Sequence, residues 1–216
     1  MSNISQMGPE SAAPAGSVIE GGLRMVKMER WLAQTQRGLP WLGLYDGHTG
    51  LPNRSLFCDR LAQACIAVNR HATPFAVLIV HLHDLEKIAS EHAHETVEAV
   101  VVESAQRLQA LFRESDTIAR FGQDEFGILL MGTRSAKGAS MVSQRIADCL
   151  HKPLVVKERE FQLRVSIGIA LNPSHGSDDA ALLTNATHAM RRAAHTHRDY
   201  EVYTPLSLLT QMERAV

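Results

Sequence analysis

Two adjacent carboxylates, Asp124 and Glu125, stand in the stretch "RFGQDEF" (120–126), with residues that favour extended structure on either side. An acid pair at a turn can hold a divalent cation or move a proton, and its partners decide which. His81 and His83 lie two apart in the apolar run "PFAVLIVHLH" (74–83). On a strand that spacing points both imidazoles to one side, so with Asp124 they could form a zinc-like or manganese-like site. A further charged pair, Arg113 and Asp116 in "RESD" (113–116), reads in isolation as an exposed helix-end salt bridge of small energetic value.

Elements must hold these groups. The 74–83 run is continuous, apolar and rich in β-branched residues, the mark of a strand buried on both faces. "YDGHTGLPNRSLF" (45–57) reads as a compact turn, and "RSLFCDRLAQACIAVNRH" after it has helical periodicity. A long helix is expected over about Glu95–Phe112, with Val97, Val100, Val101, Ala105, Leu108 and Leu111 inward. "DTIARFGQDEFGILLM" reads as a hairpin turning at Gly-Gln-Asp. A helix over Ala136–Leu150, strands over Leu154–Val156 and Phe161–Leu171, and a helix over Asp179–Ala194 complete the pattern. Strands alternating with helices, plus hairpins, imply an α/β sandwich on a mixed sheet.

The chain has 216 residues and is 45% hydrophobic, enough for one well-buried core with flanking segments. Lysine plus arginine (22) nearly balances aspartate plus glutamate (23), so no single-sign field would draw nucleic acid or an anionic membrane. Cys58, Cys65 and Cys149 form no CxxC pair, which argues against a disulfide framework and a cysteine zinc site and fits a reducing cytosol. No run approaches the ~18 apolar residues of a membrane span, so a soluble, cytoplasmic protein is expected. Residues 1–17 read as a flexible polar tail. Residues 18–41 read as a helical lead-in, ended by Gly-Leu-Pro at 38–40, that is expected either to dock on its own domain or to pair with a second chain.

Four separated stretches resemble one family, the GGDEF domains of bacterial diguanylate cyclases. "DGHTGLPNR" (46–54) is similar to its D-x-L-T-G-L-x-N-R turn, with His48 in place of Leu, and "RFGQDEF" to its R-[FY]-G-G-[DE]-E-F hairpin. "VSIGIA" (165–170) resembles its S-[IV]-G-[IV]-A strand, and "ATHAMRRAAHTHRD" (186–199) its A-D-x-A-L-Y-x-A-K-x-x-G-R-N helix end. Four matches in order, over about residues 42–204, are far more specific than any one. The resemblance implies a palm-like fold related to nucleotide cyclases, with a mixed five-stranded sheet flanked by helices. It also implies a reaction in which two GTP molecules, one on each protomer of a dimer, become cyclic di-GMP and pyrophosphate.

Carried over position by position, the resemblance predicts a degenerate substrate site. The family's metal-binding carboxylate on the first core strand becomes His81, and its second acid His83. Mg²⁺ wants oxygen ligands. Losing one unit charge at ~4 Å costs ~4 kcal/mol at an effective dielectric of 20, so turnover should fall by several powers of ten. A register slip that substitutes Asp84 would point it to the opposite face. The guanine-reading Asn and acid map to Ala89 and Glu98. The phosphate-neutralising Lys and Arg map to Ala194 and Arg198, so half of the pair remains. The second hairpin Gly becomes Gln123, which brings a Cβ to a place where phosphate approaches and where Gly permits an unusual φ. Asp124, the metal-side acid, and Glu125, the catalytic acid, survive as remnants. No cofactor is expected unless residual cyclase activity retains Mg²⁺ at Asp124.

The product site keeps its residues. "RESD" matches the family's R-x-x-D inhibitory motif five residues before the hairpin motif, and Arg145 in "SQRIA" stands where a second Arg often contributes. By the resemblance, Arg113, Asp116 and Arg145 bind cyclic di-GMP, as the planar guanidinium fork suits bases and phosphates. The expected function is a catalytically degenerate receptor or regulatory module. The alternatives are a weakly active diguanylate cyclase, and a GTP-binding or protein-interaction domain. Expected partners are cyclic di-GMP, GTP, and a second copy or an EAL phosphodiesterase domain, with residues 205–216 as a connector.

Overall fold

The computed structural model describes residues 43–71 and 73–205; the expected tail, the helical lead-in and the chain beyond residue 205 lie outside them. The central strand, β1 (Phe75–Leu82), is buried along almost its whole length. Its even-numbered residues Ala76, Leu78 and Val80 enter one core, and its odd-numbered residues Phe75, Val77 and Ile79 enter another on the opposite face. This two-sided burial is why the run reads as continuously apolar.

Helix α1 (Arg54–His71) precedes β1, while α2 (Leu85–Glu91) and α3 (His94–Gln109) follow it. The hairpin β2 (Thr117–Arg120) and β3 (Glu125–Met131), helix α4 (Ala136–Leu150) and the ribbon β4 (Leu154–Val156) and β5 (Arg159–Phe161) come next. Strand β6 (Val165–Leu171), helix α5 (Asp179–His195) and strand β7 (Tyr200–Val202) end the described chain. The main sheet has the order β2-β3-β1-β6-β7. Its pairs are antiparallel except β6 with β7, which run parallel. The mixed five-stranded sheet flanked by helices is therefore as expected.

Three local readings change. The expected strand Phe161–Leu171 is two strands, because β5 pairs with β4 in a separate ribbon and the chain joins the main sheet only at Val165. Strand β7 is an edge strand of three half-buried residues with too few positions to show a period. Helix α2 is entered through Asp84, which takes a left-handed conformation with φ of 70°.

Helix ends follow ordinary capping. The Ser135 side chain accepts from Gly138 N at the start of α4, and that of Asp178 accepts from Ala181 N at the start of α5. Helix α5 ends with Arg198 N donating to Ala193 O and His197 N to Ala194 O, with His197 left-handed at φ 54°. Glycine is required at Gly168 on β6 for a different reason. A β-carbon there would fall on the Ala186 carbonyl oxygen and the Met190 backbone nitrogen of α5. Gly168→Ala should therefore lower unfolding stability by about 3 kcal/mol or more, since backbone cannot give way as a side chain can. Urea unfolding followed by circular dichroism checks this, and a loss below ~1 kcal/mol would contradict the close approach.

Candidate functional site

The sheet places its polar groups at one end. Across the register His81 lies opposite both Glu125 of β3 and Ser166 of β6, so these three share a face, and His83 joins them two residues on. His81 Nδ1 is 3.7 Å from Asp124 Oδ2. The His81 and His83 rings meet edge to face with centroids 4.6 Å apart. His83 Nε2 is 2.8 Å from Ser166 Oγ. Burial, with His81 and Arg164 adding to it, holds His83 below the ordinary imidazole value. Burial also raises Glu125, with Asp124 adding to it against the opposing pull of Arg54, His81 and Arg191. Asp84 does not replace His81: its carboxylate takes Arg164, at 2.8 Å from Nη2.

This donor set does not fit Mg²⁺. Mg²⁺ favours oxygen ligands, whereas an imidazole, that of His81, faces Asp124, and among the described residues no three His, Cys, Asp or Glu side chains converge well enough to hold a metal ion. The zinc-like grouping of His81, His83 and Asp124 does not assemble for the same reason.

A second cluster surrounds Arg120 at the end of β2. Its side chain is 6% exposed and its Nη1 and Nη2 each donate to one Glu98 oxygen at 3.0 Å. Nη1 also reaches Asp46 Oδ1 at 3.2 Å, and Nε donates to Gly122 O at 2.8 Å. Asp46 in turn accepts from the Thr49 hydroxyl at 2.7 Å and the Thr49 amide at 2.8 Å. The opening turn is moored to the same strand, because Arg120 N donates to Pro52 O and Asn53 Nδ2 donates to Gly43 O. Asp46, His48, Asn53, Glu98, Arg120 and Gln123 line a cavity of about 430 Å³. Glu98, expected at the base-reading position, is thus already engaged by a guanidinium.

These carboxylates carry a pH dependence. The Arg120 hydrogen bonds lower Glu98 despite its burial. Burial alone would raise Asp46, but Thr49 and Arg120 together outweigh it and lower the group. With folded values below the unfolded ones, the stability they supply is present above the unfolded values and is lost as pH falls through the folded ones. The urea midpoint should therefore drop between about pH 5 and 3, and Glu98→Gln should make that drop shallower. An equally steep drop in the variant would remove Glu98 from the account.

The remaining predicted positions are dispersed. Ala89 is exposed on α2. Ala194 and Arg198 line a separate cavity of about 250 Å³ with His83, Arg164, Ser166 and His197. Arg198 Nη1 donates to Glu201 Oε1 at 3.0 Å, so the cation expected at the phosphate position already has a counter-charge. Gln123 has ordinary backbone: Asp84, Lys157, Glu158 and His197 are the non-glycine residues with positive φ among those described. The hairpin thus needs no glycine φ at 123, which corrects that part of the expectation. Asp116 binds backbone, accepting from Met131 N at 3.0 Å and Arg113 N at 3.3 Å. The Arg113 and Arg145 side chains are exposed, and no hydrogen bond or ion pair ties down either among the described residues. The helix-end salt bridge between Arg113 and Asp116 does not form. Sequence reasoning missed Arg120 as the centre of the buried ion pairs, although an arginine closing an apolar strand was a usable signal.

Comparison with known proteins agrees with this architecture. The family model described as "Diguanylate cyclase, GGDEF domain" matches residues 43–200. The bifunctional diguanylate cyclase/cyclic di-GMP phosphodiesterase MucR of Pseudomonas aeruginosa is 36% identical over 162 residues, 75% of this chain and 24% of that protein. The diguanylate cyclase TpbB of the same species is 32% identical over 195 residues, 87% of this chain and 45% of that protein. The chain thus spans between a quarter and a half of the length of these relatives. The solved GGDEF domain of TpbB superposes with a TM-score of 0.71 at 33% identity, covering 74% of this chain and 94% of that one. A more distant fold match, at 20% identity and a TM-score of 0.67, is the GGDEF domain of DgcB from Caulobacter crescentus in complex with c-di-GMP, covering 74% and 94% of the two chains. Among the described residues no helix is long and apolar enough to cross a membrane. With its fold, its ordered motifs and a family match over most of its length, the chain belongs to the diguanylate cyclase GGDEF domain family.

Proposed function

We propose that this is a catalytically degenerate GGDEF domain that binds cyclic di-GMP at Arg113, Asp116 and Arg145 and acts as a receptor or regulatory module in cyclic di-GMP signalling. The observation that carries the reading is the contrast between the two sites. At the substrate end, imidazole faces Asp124, Arg120 occupies Glu98, and Glu201 holds Arg198. Elsewhere, the exposed guanidinium groups of Arg113 and Arg145 remain without partners among the described residues. Exposed, unneutralised arginines suit a ligand with two phosphodiesters and two guanine edges. Occupancy would pass to a second copy or to a neighbouring domain such as an EAL phosphodiesterase, an arrangement in line with the bifunctional relative MucR.

Titrating the 216-residue chain with cyclic di-GMP and GTP in parallel tests the reading. Cyclic di-GMP should bind, and GTP with Mg²⁺ or Mn²⁺ should yield no cyclic di-GMP. Absence of cyclic di-GMP binding would dismiss the receptor role. Retention of Asp124 and Glu125 at the hairpin favours a second reading, a slow diguanylate cyclase; product formation abolished by Glu125→Ala would establish it.

A further inference from the structure

Helix α5 carries Thr184, Thr187, His188 and Arg191 at spacings of three and four residues, so they share one side of the helix. That side faces Arg54, the first residue of α1, across a groove of about 230 Å³ whose remaining wall is Leu183. The lining holds two arginines, a histidine and two threonine hydroxyls, and no carboxylate. Among the described residues neither Arg54 nor Arg191 forms a salt bridge. The Arg54 guanidinium lies 5.3 Å above the Phe121 ring, which itself packs edge-on against Phe57 at 5.0 Å. Arg54 is thereby held on an aromatic platform at the rim.

Concentrated charge of one sign is unusual in a chain with a net charge of −1. Glu125 feels both arginines, which favour its ionised form, yet among the described residues it forms a salt bridge with neither. Cations held close together without a counter-charge repel one another, and a bound oxyanion relieves that repulsion. The helix face also departs from the family pattern quoted above, with Thr187 at an Asp position and Arg191 at a Tyr position. Both departures make this face more positive. Arg191 lies three residues, roughly 4.5 Å of helix rise, before Ala194, where a lysine is absent.

We propose that the Arg54–His188–Arg191 groove binds a phosphate group, taking pyrophosphate or the phosphate end of a nucleoside polyphosphate. Guanidinium forks approaching from two helices can each bind phosphate oxygens bidentately, while the Thr184 and Thr187 hydroxyls and the His188 ring supply further donors. This site is distinct from Arg113, Asp116 and Arg145 and does not depend on them.

The test is calorimetric titration of the full chain with pyrophosphate and with GTP, at low ionic strength and without divalent cations, with cyclic di-GMP as a parallel ligand. Pyrophosphate should bind, and Arg191→Tyr or Arg54→Ala should each weaken it at least tenfold while cyclic di-GMP binding and the circular dichroism spectrum stay unchanged. Arg198→Ala, in the neighbouring cavity, should leave pyrophosphate binding as it was. GTP binding tighter than pyrophosphate would identify a nucleotide as the phosphate source, and equal affinities an inorganic one. No binding of either anion by the wild-type chain would overturn the proposal. So would loss of binding in Arg198→Ala with Arg191→Tyr unaffected, which would put the anion beside Ala194. Intact pyrophosphate binding without cyclic di-GMP binding would overturn only the receptor reading.

Discussion

Arg113→Ala should weaken cyclic di-GMP binding by about thirtyfold to a few thousandfold, because truncating one partner of a hydrogen-bonded charge pair costs about 2–5 kcal/mol. The size follows from what the residue has to offer. Its side chain is exposed and makes no intramolecular hydrogen bond or ion pair among the described residues, so no internal partner has to be given up on binding. Its neighbour Asp116 is pinned by two backbone amides, which fixes the turn from which Arg113 projects. Arg113→Lys should recover little, since an ammonium offers charge without the planar fork. The two variants should fold as the wild type does, and calorimetry reads both. Affinity within threefold of wild type in Arg113→Ala would remove this residue from the ligand site.

Arg120→Met should destabilise the domain by about 3–5 kcal/mol, as expected when one partner of a buried ion pair is removed and the others stay charged. For a domain of this size that is a fall of about 10 °C in Tm. Glu98 and Asp46 are only 15% and 22% exposed and would face each other's neighbourhood without the guanidinium between them. Adding Glu98→Gln should return part of the loss, because the two residues are directly coupled. Thermal unfolding of the single and double variants measures this. Additive losses would show that the bidentate contact contributes no coupling.

Much of this architecture could be read before any coordinates. The β1 run announces burial on both faces, and α4 has the bounds its Ser135 cap and periodicity imply. Three-residue β7 could not be read, because its strand state comes from parallel pairing with β6 and has no local signature. Helix α2 is seven residues long, too short for periodicity, and starts from a left-handed residue, Asp84, a conformation uncommon outside glycine that no local pattern announces. At the site, strand alternation put His81 and His83 on one side, and the register of His81 with Glu125 and Ser166 is consistent with it. The capture of Glu98 by Arg120 did not, since a contact between residues 22 apart depends on how α3 packs against the sheet. The Arg198–Glu201 pair is local by contrast, its residues three apart where the chain passes from α5 into β7.

The mooring of the opening turn has a mechanical consequence. Gly43 is tied to Asn53, and Pro52 is tied directly to Arg120, whose side chain grips Gly122 inside the hairpin loop. A twist applied at Gly43 therefore has a short, stiff route to the loop bearing Gln123 and Asp124, with no helix in between to absorb it. Input delivered from upstream would arrive at the acid pair as a change in loop posture, with the rest of the sheet left in register.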